Sequence, residues 1–291
     1  MIDACATVES NGELAPGYRL LVLNFDEEVR PRAGQFAMLR PHGSYEPLLR
    51  RALAVYRVYG GRRIGFLYQV LGRGTAALSH LGKGGKVDAL IPLGNSWPID
   101  GSQDLLAREP NAEQATSVAI RSKRAIIVAG GIGSASVLML CEELARARAD
   151  AQVFLGAASA RVATGCGLDD FRALGLPLTL TTDDGSLGER GFVTLPLERY
   201  LGEGGGRGAT IYACGPWVMM SAVAGIASRL SVPCVVSLEA PMGCGFGVCV
   251  GCVVAVKADG PLGYGSYKRV CIDGPIFPAE MIRWEVNAMT H

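Results

Sequence analysis

The stretch MGCGFGVCVGCVV, residues 242–254, decides how this chain is to be interpreted. It places three cysteines in the pattern C-x4-C-x2-C, namely Cys244, Cys249 and Cys252, and Cys271 follows after eighteen further residues. This spacing is typical of a plant-type [2Fe–2S] cluster, which is held by four cysteine thiolates. We therefore predict that these four cysteines are metal ligands.

Glycines separate the cysteines of this loop, at positions 243, 245, 247 and 251. Glycine adopts left-handed φ values and has no Cβ atom to block a loop that wraps an inorganic core. It also allows backbone N–H groups to approach the cluster sulfurs. Two other interpretations remain open at this point: a structural zinc site, although a second C-x2-C pair is missing, and free structural thiols.

The other five cysteines are dispersed, and buried structural thiols are the expectation for them. They are Cys5, Cys141, Cys166, Cys214 and Cys234. Without a signal peptide in MIDACATVES, nine cysteines indicate a reducing, cytoplasmic location, where clustered cysteines are more often ligands than disulfides.

The composition and charge argue against two classes of function, nucleic-acid binding and membrane insertion. The 291 residues are 49% hydrophobic and 19% charged, which is typical of a globular protein of one to three domains. The net charge of +1 and the lack of a basic face argue against nucleic-acid binding. The longest apolar stretch, residues 125–141, is too short for a membrane span and contains three glycines, so we predict no membrane segment.

The chain divides into four predicted regions. Residues 1–100 hold short runs rich in Val, Leu, Phe and Tyr between turn signals, namely YRLLVLNF, QFAMLR, ALAVYRVY and RRIGFLYQV. These runs predict an antiparallel β-barrel or sandwich with one short helix in GRGTAALSHL. Residues 101–122 are polar and patternless, and we interpret them as a linker or insertion. Residues 123–239 alternate strands and helices, with helices expected from about Ser134 and about Trp217, which predicts a parallel sheet with helices on both faces. Residues 240–291 have too few apolar residues for a core of their own.

Three glycine-containing segments of the third region predict a nucleotide site. AGGIGSAS follows a strand and opens a helix, so Gly130, Gly131 and Gly133 could expose N–H groups to an anion, although Ser136 stands where a dinucleotide fingerprint has its third glycine. TTDDGSLGERG, with Asp184, and YACGP, with Cys214, Gly215 and Pro216, leave strands at the same sheet edge.

In the first region, LLRRALAV and GRGT indicate a phosphate site. Arg50 or Arg51 could pair with a pyrophosphate through its planar guanidinium group. The N–H groups of GRGT and the Thr75 hydroxyl could hold phosphate as well. A surface role for the arginines, and a role for Cys214 as a plain buried thiol, remain open from the residues alone.

These motifs occur in a recognisable order: RAGQFAML, LLRRALAV, YQVLGRGT, VAGGIG, TDDGSLGERGFVT, YACGP, CGFGVCVGC and YKRVCIDGPIF. In this order the chain resembles the iron–sulfur electron transfer subunit of class 1B dihydroorotate dehydrogenase, over nearly its whole length except about 101–122. More broadly, it is similar to a ferredoxin reductase with a cluster domain added at the C-terminus.

The resemblance implies a multidomain fold: an FAD-binding barrel over 1–100, a 101–122 linker, an NAD-binding α/β domain over 123–239 and a [2Fe–2S] domain over 240–291. The FAD residues it implies are Arg51, Ala52, Leu53, Ala54, Tyr68, Gln69, Val70, Gly74 and Thr75. Ala54 stands where relatives carry serine, and Gln69 where they carry arginine. The NAD residues it implies are Gly130, Gly131, Gly133, Asp184, Cys214, Gly215 and Pro216, and Arg161 leaves the choice of NAD or NADP open.

The resemblance also implies a partner. A subunit carrying FMN would oxidise dihydroorotate to orotate, and electrons would pass from FMN through the cluster and FAD to NAD+, within a heterotetramer that serves pyrimidine biosynthesis. No residue of this chain is then predicted to be catalytic toward dihydroorotate. Two other functions remain: a subunit of an NAD(P)H:ferredoxin oxidoreductase or a hydrogenase, and a zinc-stabilised binding module without redox chemistry.

Overall fold

The computed structural model describes residues 1–43, 45–98, 124–257 and 264–287. The predicted linker, 101–122, lies outside these ranges. Within them, no helix combines the length and the apolar character that crossing a membrane requires.

The first seven strands form an antiparallel sheet in the order β4-β3-β7-β1-β2-β6-β5. The strands are β1 Ile2–Ala15, β2 Tyr18–Asn24, β3 Phe36–Pro41, β4 Arg51–Ala54, β5 Arg57–Tyr59, β6 Arg63–Gln69 and β7 Lys86–Leu93. The sheet curls as a half-barrel, and the short helix α1, Arg73–Ser79, follows β6. The prediction of an antiparallel barrel with one short helix is therefore confirmed.

Two features of this sheet differ from the expectation. The run ALAVYRVY is two strands, because the chain leaves the ladder at Val55 and Tyr56, both fully buried. β1 and β7 were not predicted as strands, yet β1 is the longest strand and pairs with both β2 and β7. Its alternation of exposed Cys5 with buried Ala6 and Val8 is the period of a half-buried strand. The expectation that Cys5 is a buried thiol is therefore wrong, because Cys5 lies on the face of β1 that is turned away from the core.

The second sheet has the order β11-β10-β9-β8-β12-β13-β16, and neighbours from β11 to β13 run parallel. Its strands are β8 Arg124–Gly130, β9 Asp150–Ala157, β10 Leu178–Thr182, β11 Glu189–Arg190, β12 Ala209–Cys214 and β13 Cys234–Ser237. Its helices are α2 Ser134–Arg146, α3 Ala160–Gly165, α4 Leu168–Ala173, α5 Thr194–Tyr200 and α6 Trp217–Arg229. Helices beginning at Ser134 and Trp217 were predicted, and both are confirmed.

The central strand β8 shows why helices cover both faces. Ala125, Ile127 and Ala129 belong to the core that contains α2, whereas Ile126 and Val128 belong to the core that contains α6. Successive side chains of a strand point to opposite faces, so an uninterrupted apolar strand needs a cover on each.

The C-terminal region is joined to this second sheet. β16, Ile276–Pro278, pairs antiparallel with β13 and forms its edge, while β14, Val253–Ala255, and β15, Tyr267–Arg269, form a separate two-stranded ladder. The last helix is α7, Trp284–Asn287. Cys252, Val270 and Cys271 share a core cluster with α6. The shortage of apolar residues in 240–291 is thus met by packing onto the neighbouring sheet.

Two residues that follow β7, Asn95 and Trp97, join the first sheet to the other parts of the protein by hydrogen bonds. The indole N–H of Trp97, which is 2% exposed, donates to the Ser136 carbonyl at 2.9 Å. The amide of Asn95 donates to the Ile276 carbonyl at 2.8 Å and accepts the Ile276 N–H at 3.0 Å. The barrel therefore contacts both the α/β region and the segment that carries Cys271.

Candidate functional site

The four predicted ligands come together as two pairs in the structure. The N–H of Cys249 donates to the Cys244 sulfur at 3.5 Å, and the N–H of Cys271 donates to the Cys252 sulfur at 3.4 Å. Cys252 and Cys271 are buried, whereas Cys249 is exposed. Two thiol pairs, one at the surface and one inside, fit a cluster with two irons and two cysteine ligands on each.

The surroundings of Cys244 and Cys252 favour the thiolate form, which is the form that binds metal. Burial opposes ionisation of Cys244, but hydrogen bonds from the backbone of Cys249 and Phe246 lower its pKa to about 7. A hydrogen bond from the Cys271 thiol lowers the pKa of Cys252 to about 6 against the effect of burial. The same bond raises the pKa of Cys271, so the inner pair shares one proton until a cation replaces it.

The loop glycines differ in backbone conformation. Gly245 and Gly247 take left-handed φ values of 82° and 89°, as predicted. The same expectation is wrong for Gly243 and Gly251, which are not left-handed; an added Cβ there would lie 3.5 Å and 3.7 Å from the Cys249 sulfur. An added Cβ at either position would be in ordinary van der Waals contact with that sulfur, so packing alone does not require glycine there. The turn beside the Cys249 sulfur is made instead by Val250, with φ of 55°.

A cavity of about 360 Å³ lies where the three parts of the chain meet. The barrel contributes Arg51, Ala52, Leu53, Ala54, Leu67, Tyr68, Gln69, Leu71 and Thr75. The parallel sheet contributes Ile132, Ala135, Ser136, Cys214 and Ser237. The segment that leads to the cluster loop contributes Leu238, Glu239, Ala240, Pro241 and Met242. The cavity therefore borders three regions at once. These are the barrel strand predicted to bind flavin, the sheet edge predicted to bind nucleotide, and the segment that leads to the cysteine loop.

Arg51, rather than Arg50, lines this cavity. Arg50 pairs with Asp3 at 2.7 Å. Arg51 donates to the carbonyl groups of Leu49 and Arg50 and lies across Gly74 of α1, where a Cβ would be 1.9 Å from its Nε. Its guanidinium group also borders a second cavity, of about 420 Å³. Arg51 therefore lies between the two cavities. This is the position expected of a residue that binds the pyrophosphate in the middle of an extended dinucleotide.

Two other residues predicted to bind flavin, Thr75 and Val70, have different positions: Thr75 lines the cavity, and Val70 supports the strand beside it. Thr75 lines the cavity, and its hydroxyl accepts the N–H groups of Leu71 and Gly72 at 3.0 Å and 3.2 Å. Through these two bonds Thr75 also stabilises the start of α1. Val70 holds the end of β6 in place, because its N–H donates to the Gly17 carbonyl at 2.8 Å.

The predicted nucleotide residues form a tightly packed edge. A Cβ at Gly133 would lie 2.5 Å from the Cys214 carbonyl oxygen, and one at Gly130 would lie 3.0 Å from Pro216. Gly131, by contrast, has φ of 52° and open space around it, and Gly215 has φ of 158°. Close approach of the two turns explains Gly130 and Gly133, and Gly131 presents its backbone to the open side.

Cys214 and Asp184 differ in their position. Cys214 is 1% exposed at the cavity wall, and burial raises its pKa to about 12, so the thiol is neutral. Asp184 is exposed in the loop after β10, where its carboxylate accepts the N–H and the hydroxyl of Ser186 at 2.9 Å and 2.6 Å. These bonds lower its pKa and fix the loop.

Two buried serines are among the residues of the cavity wall that sequence reasoning missed. The hydroxyl of Ser136 donates to the hydroxyl of Ser237 at 3.1 Å, and both serines are buried. The signal was present at Ser136, because a serine in place of the third fingerprint glycine brings a hydroxyl to the start of α2. Ser237, at the end of β13, carried no comparable signal.

The family model described as the iron–sulfur cluster binding domain of dihydroorotate dehydrogenase B matches residues 239–283. The chain is 33% identical over 255 residues to the electron transfer subunit of dihydroorotate dehydrogenase B (NAD(+)) of Desulforamulus reducens, covering 87% of each protein.

Two solved structures share the fold. An NADH-dependent reduced ferredoxin-NADP oxidoreductase, studied for flavin-based electron bifurcation, aligns with a TM-score of 0.77 at 24% identity over 97% of this chain and 90% of that one. The ferredoxin NADP+ reductase of Neisseria gonorrhoeae with bound FAD and NADP aligns with a TM-score of 0.63 at 13% identity, covering 78% and 91%.

Proposed function

Because the chain belongs to the family of the electron transfer subunits of dihydroorotate dehydrogenase B, we propose that it carries electrons from a catalytic partner subunit to NAD+. It is an oxidoreductase subunit that uses FAD, a [2Fe–2S] cluster and NAD. The substrate, dihydroorotate, would be oxidised on a separate subunit that contains FMN, and two copies of each subunit would form a heterotetramer. A cytoplasmic location is part of this proposal, since a reducing compartment keeps the ligand thiols available.

One observation carries the proposal: the 360 Å³ cavity is bordered at once by Arg51, by Cys214 and by Met242, two residues before the first cluster ligand. A flavin bound there exchanges electrons singly, as an iron–sulfur cluster does, and in pairs, as a nicotinamide does. The cavity is the place in this chain where a group of that kind would be near both neighbours.

Each part of the chain then has a defined task. Cys244, Cys249, Cys252 and Cys271 hold the cluster. Arg51 offers a bidentate positive group to the FAD pyrophosphate, with Thr75 beside it. Ala52 to Ala54 and Tyr68 to Val70 form the flavin wall, and Gly74 gives Arg51 room. Gly131 and the turn formed by Cys214, Gly215 and Pro216 receive NAD, supported by Gly130 and Gly133, while Asp184 shapes the adjacent loop.

The domain boundaries of this proposal follow the same division. Residues 1–100 bind FAD, 123–239 bind NAD and 240–291 hold the cluster, although β16 completes the sheet of the second unit. The described residues form no eightfold βα barrel, so we assign the binding of dihydroorotate to the partner.

Reconstitution tests the proposal. The purified chain, loaded with FAD and cluster, is expected to reduce an artificial dye with NADH but to show no dihydroorotate-dependent reduction of NAD+. Mixing it with the FMN-containing subunit of the same organism is expected to create that reaction. If the loaded mixture stays inactive while the dye reaction proceeds, the partner assignment is wrong and a ferredoxin-linked reductase becomes the better account.

A further inference from the structure

A cluster of three ligand-type side chains lies on the barrel, apart from the cysteine loop and the cavity. The sulfur of Cys5, a ring nitrogen of His42 and a carboxylate oxygen of Asp88 all lie within 4.8 Å of one another. Cys5 and His42 are exposed, and the Asp88 side chain is 16% exposed. An exposed cysteine is itself unusual, since free cysteines are among the most buried residues.

The strand register holds these groups in place. Cys5 on β1 is directly opposite Asp88 on β7, and Asp88 is opposite Arg40 on β3. His42 follows β3, and its N–H donates to the Lys86 carbonyl at 2.9 Å. Directly opposed residues of an antiparallel pair have their Cβ atoms about 4.5–5.5 Å apart on the same face. Three adjacent strands therefore fix the ligand geometry before any ion arrives.

The carboxylate of Asp88 is oriented by its neighbours. The Nε of Arg40 donates to Oδ2 at 3.2 Å, which leaves Oδ1 directed at His42 Nδ1, 2.6 Å away. Burial would raise the pKa of Asp88, but the bonds to His42 and Arg40 lower it, so the group is ionised at neutral pH. Arg40 acts as the outer-shell partner that metal-binding carboxylates usually have.

We propose that Cys5, His42 and Asp88 form a zinc site on the outer face of the barrel, with a fourth position open to water. One sulfur, one imidazole nitrogen and one carboxylate oxygen are the donors that zinc accepts together, whereas Ca²⁺ and Mg²⁺ prefer oxygen alone. In the tautomer with its hydrogen on Nδ1, the ion takes the place of that hydrogen, which moves through water to Nε2, so that His42 binds zinc as a neutral imidazole. His42 Nδ1 and Asp88 Oδ1 need to part by less than about 1 Å to accept bonds of about 2.0–2.1 Å each.

The charges at the site are compatible with a dication. Zinc binding releases the thiol proton of Cys5, so a thiolate and the Asp88 carboxylate neutralise the two positive charges. Arg40 stays on Oδ2, and the ammonium group of Lys86 is directed to the Thr7 hydroxyl at 2.7 Å.

Metal titration of the holoprotein tests the site. Zinc chloride is added to the anaerobic protein with FAD and cluster in place, and zinc and iron are counted after desalting. We expect one zinc per chain with the iron content unchanged. In calorimetry, Cys5→Ser and His42→Gln are each expected to weaken zinc binding at least about tenfold. The matched controls His80→Gln, at another exposed histidine, and Asp3→Asn, at an exposed carboxylate on β1, are expected to leave it unchanged.

Alkylation of Cys5 gives a second measurement that does not depend on activity. Zinc is expected to slow its reaction with iodoacetamide at least about tenfold in the natural protein and not in His42→Gln, as followed by peptide mass spectrometry. Equal zinc affinity in His42→Gln and the natural protein would overturn the proposal. So would zinc uptake matched by iron loss, because the ion would then occupy the cluster cysteines.

Discussion

Gly74 is the residue on which the position of Arg51 depends. A Cβ at Gly74 would lie 1.9 Å from the Arg51 Nε and 2.6 Å from its guanidinium carbon, so Gly74→Ala must displace the side chain. Because a hydrogen bond to a charged group contributes about 1.5–3 kcal/mol, we expect FAD to bind about tenfold more weakly or worse. The FAD-to-protein ratio after gel filtration measures this.

Gly72→Ala is the matched control for that change. Gly72 has φ of −152° and no atom within 4 Å of an added Cβ, so FAD retention is expected to stay the same. Both substitutions lie at the start of α1. If the two variants retain FAD equally, Arg51 does not hold the cofactor.

The inner cysteine pair gives a second prediction at this scale. Cys271→Ser is expected to lose most of the iron and the reduced-state EPR signal, because a hydroxyl is a poor ligand for iron where a thiolate is needed. Cys166→Ser changes another buried thiol, 5% exposed against 2% for Cys271, and is expected to keep both signals. Equal iron loss in the two variants would contradict the ligand assignment.

At the level of residues, the chemical role of a side chain was easier to predict from the sequence than its exposure or its partners. Cysteine spacing predicted four cluster ligands, because ligand number and spacing are set by the metal centre itself, and the structure brings these cysteines together as two pairs. The spacing could not show that Cys5 is exposed, since exposure depends on which face of β1 meets the core. Likewise, Arg50 differs from Arg51 by its pairing with Asp3, which is 47 positions away in the chain.

At the level of elements, Asn95 connects the end of β7 to the start of β16. Its amide binds both the carbonyl and the N–H of Ile276, and its amide also donates to the Asp273 carbonyl at 3.3 Å. The segment it fastens begins two residues after Cys271. The Asn95 side chain therefore helps to hold the predicted ligand Cys271 in position relative to the barrel.

Asn95→Asp is expected to loosen this connection. A carboxylate still accepts the Ile276 N–H, but it cannot donate to either carbonyl and repels both, which costs about 1–3 kcal/mol of folding free energy. We expect iron to be lost on mild heating at a lower temperature than in the natural protein. Asn24→Asp, at the exposed end of β2, is the control and is expected to behave normally. Unchanged iron retention in Asn95→Asp would rule out this role.

Sequence patterns predicted the positions of helices but not the pairing of a short edge strand. Helices α2 and α6 were placed correctly because each opens directly after a glycine- or proline-containing turn. The pairing of β16 with β13 was not predicted, because an edge strand of three residues has no periodicity of its own. Its place is decided by packing against α6 and by Asn95, both distant in the chain.

For the whole molecule, the arrangement of exposed and buried parts suggests how electrons enter. Cys249 is exposed, and the apolar side chains around it are exposed as well: Phe246, Val248 and Val250. Apolar groups rimming one ligand of a cluster are suited to burial against another protein. Behind it, Cys252 and Cys271 are buried, and the segment that leads into the loop, residues 238–242, lines the cavity, so the exposed loop is the expected docking face of the catalytic partner.

Val248→Asp tests this face, because Val248 is 73% exposed and can change without disturbing the core. A charge buried at the centre of an interface typically costs more than 1.4 kcal/mol, so we expect dihydroorotate-dependent reduction of NAD+ by the mixed subunits to fall about tenfold or more at limiting partner concentration. The NADH–dye reaction and the iron content should stay the same, since neither needs the partner. Leu230→Asp, at the exposed end of α6, is the control and should leave both reactions intact. Loss of the dye reaction in Val248→Asp would indicate local damage to the cluster, and an unaffected coupled reaction would place the partner on another face.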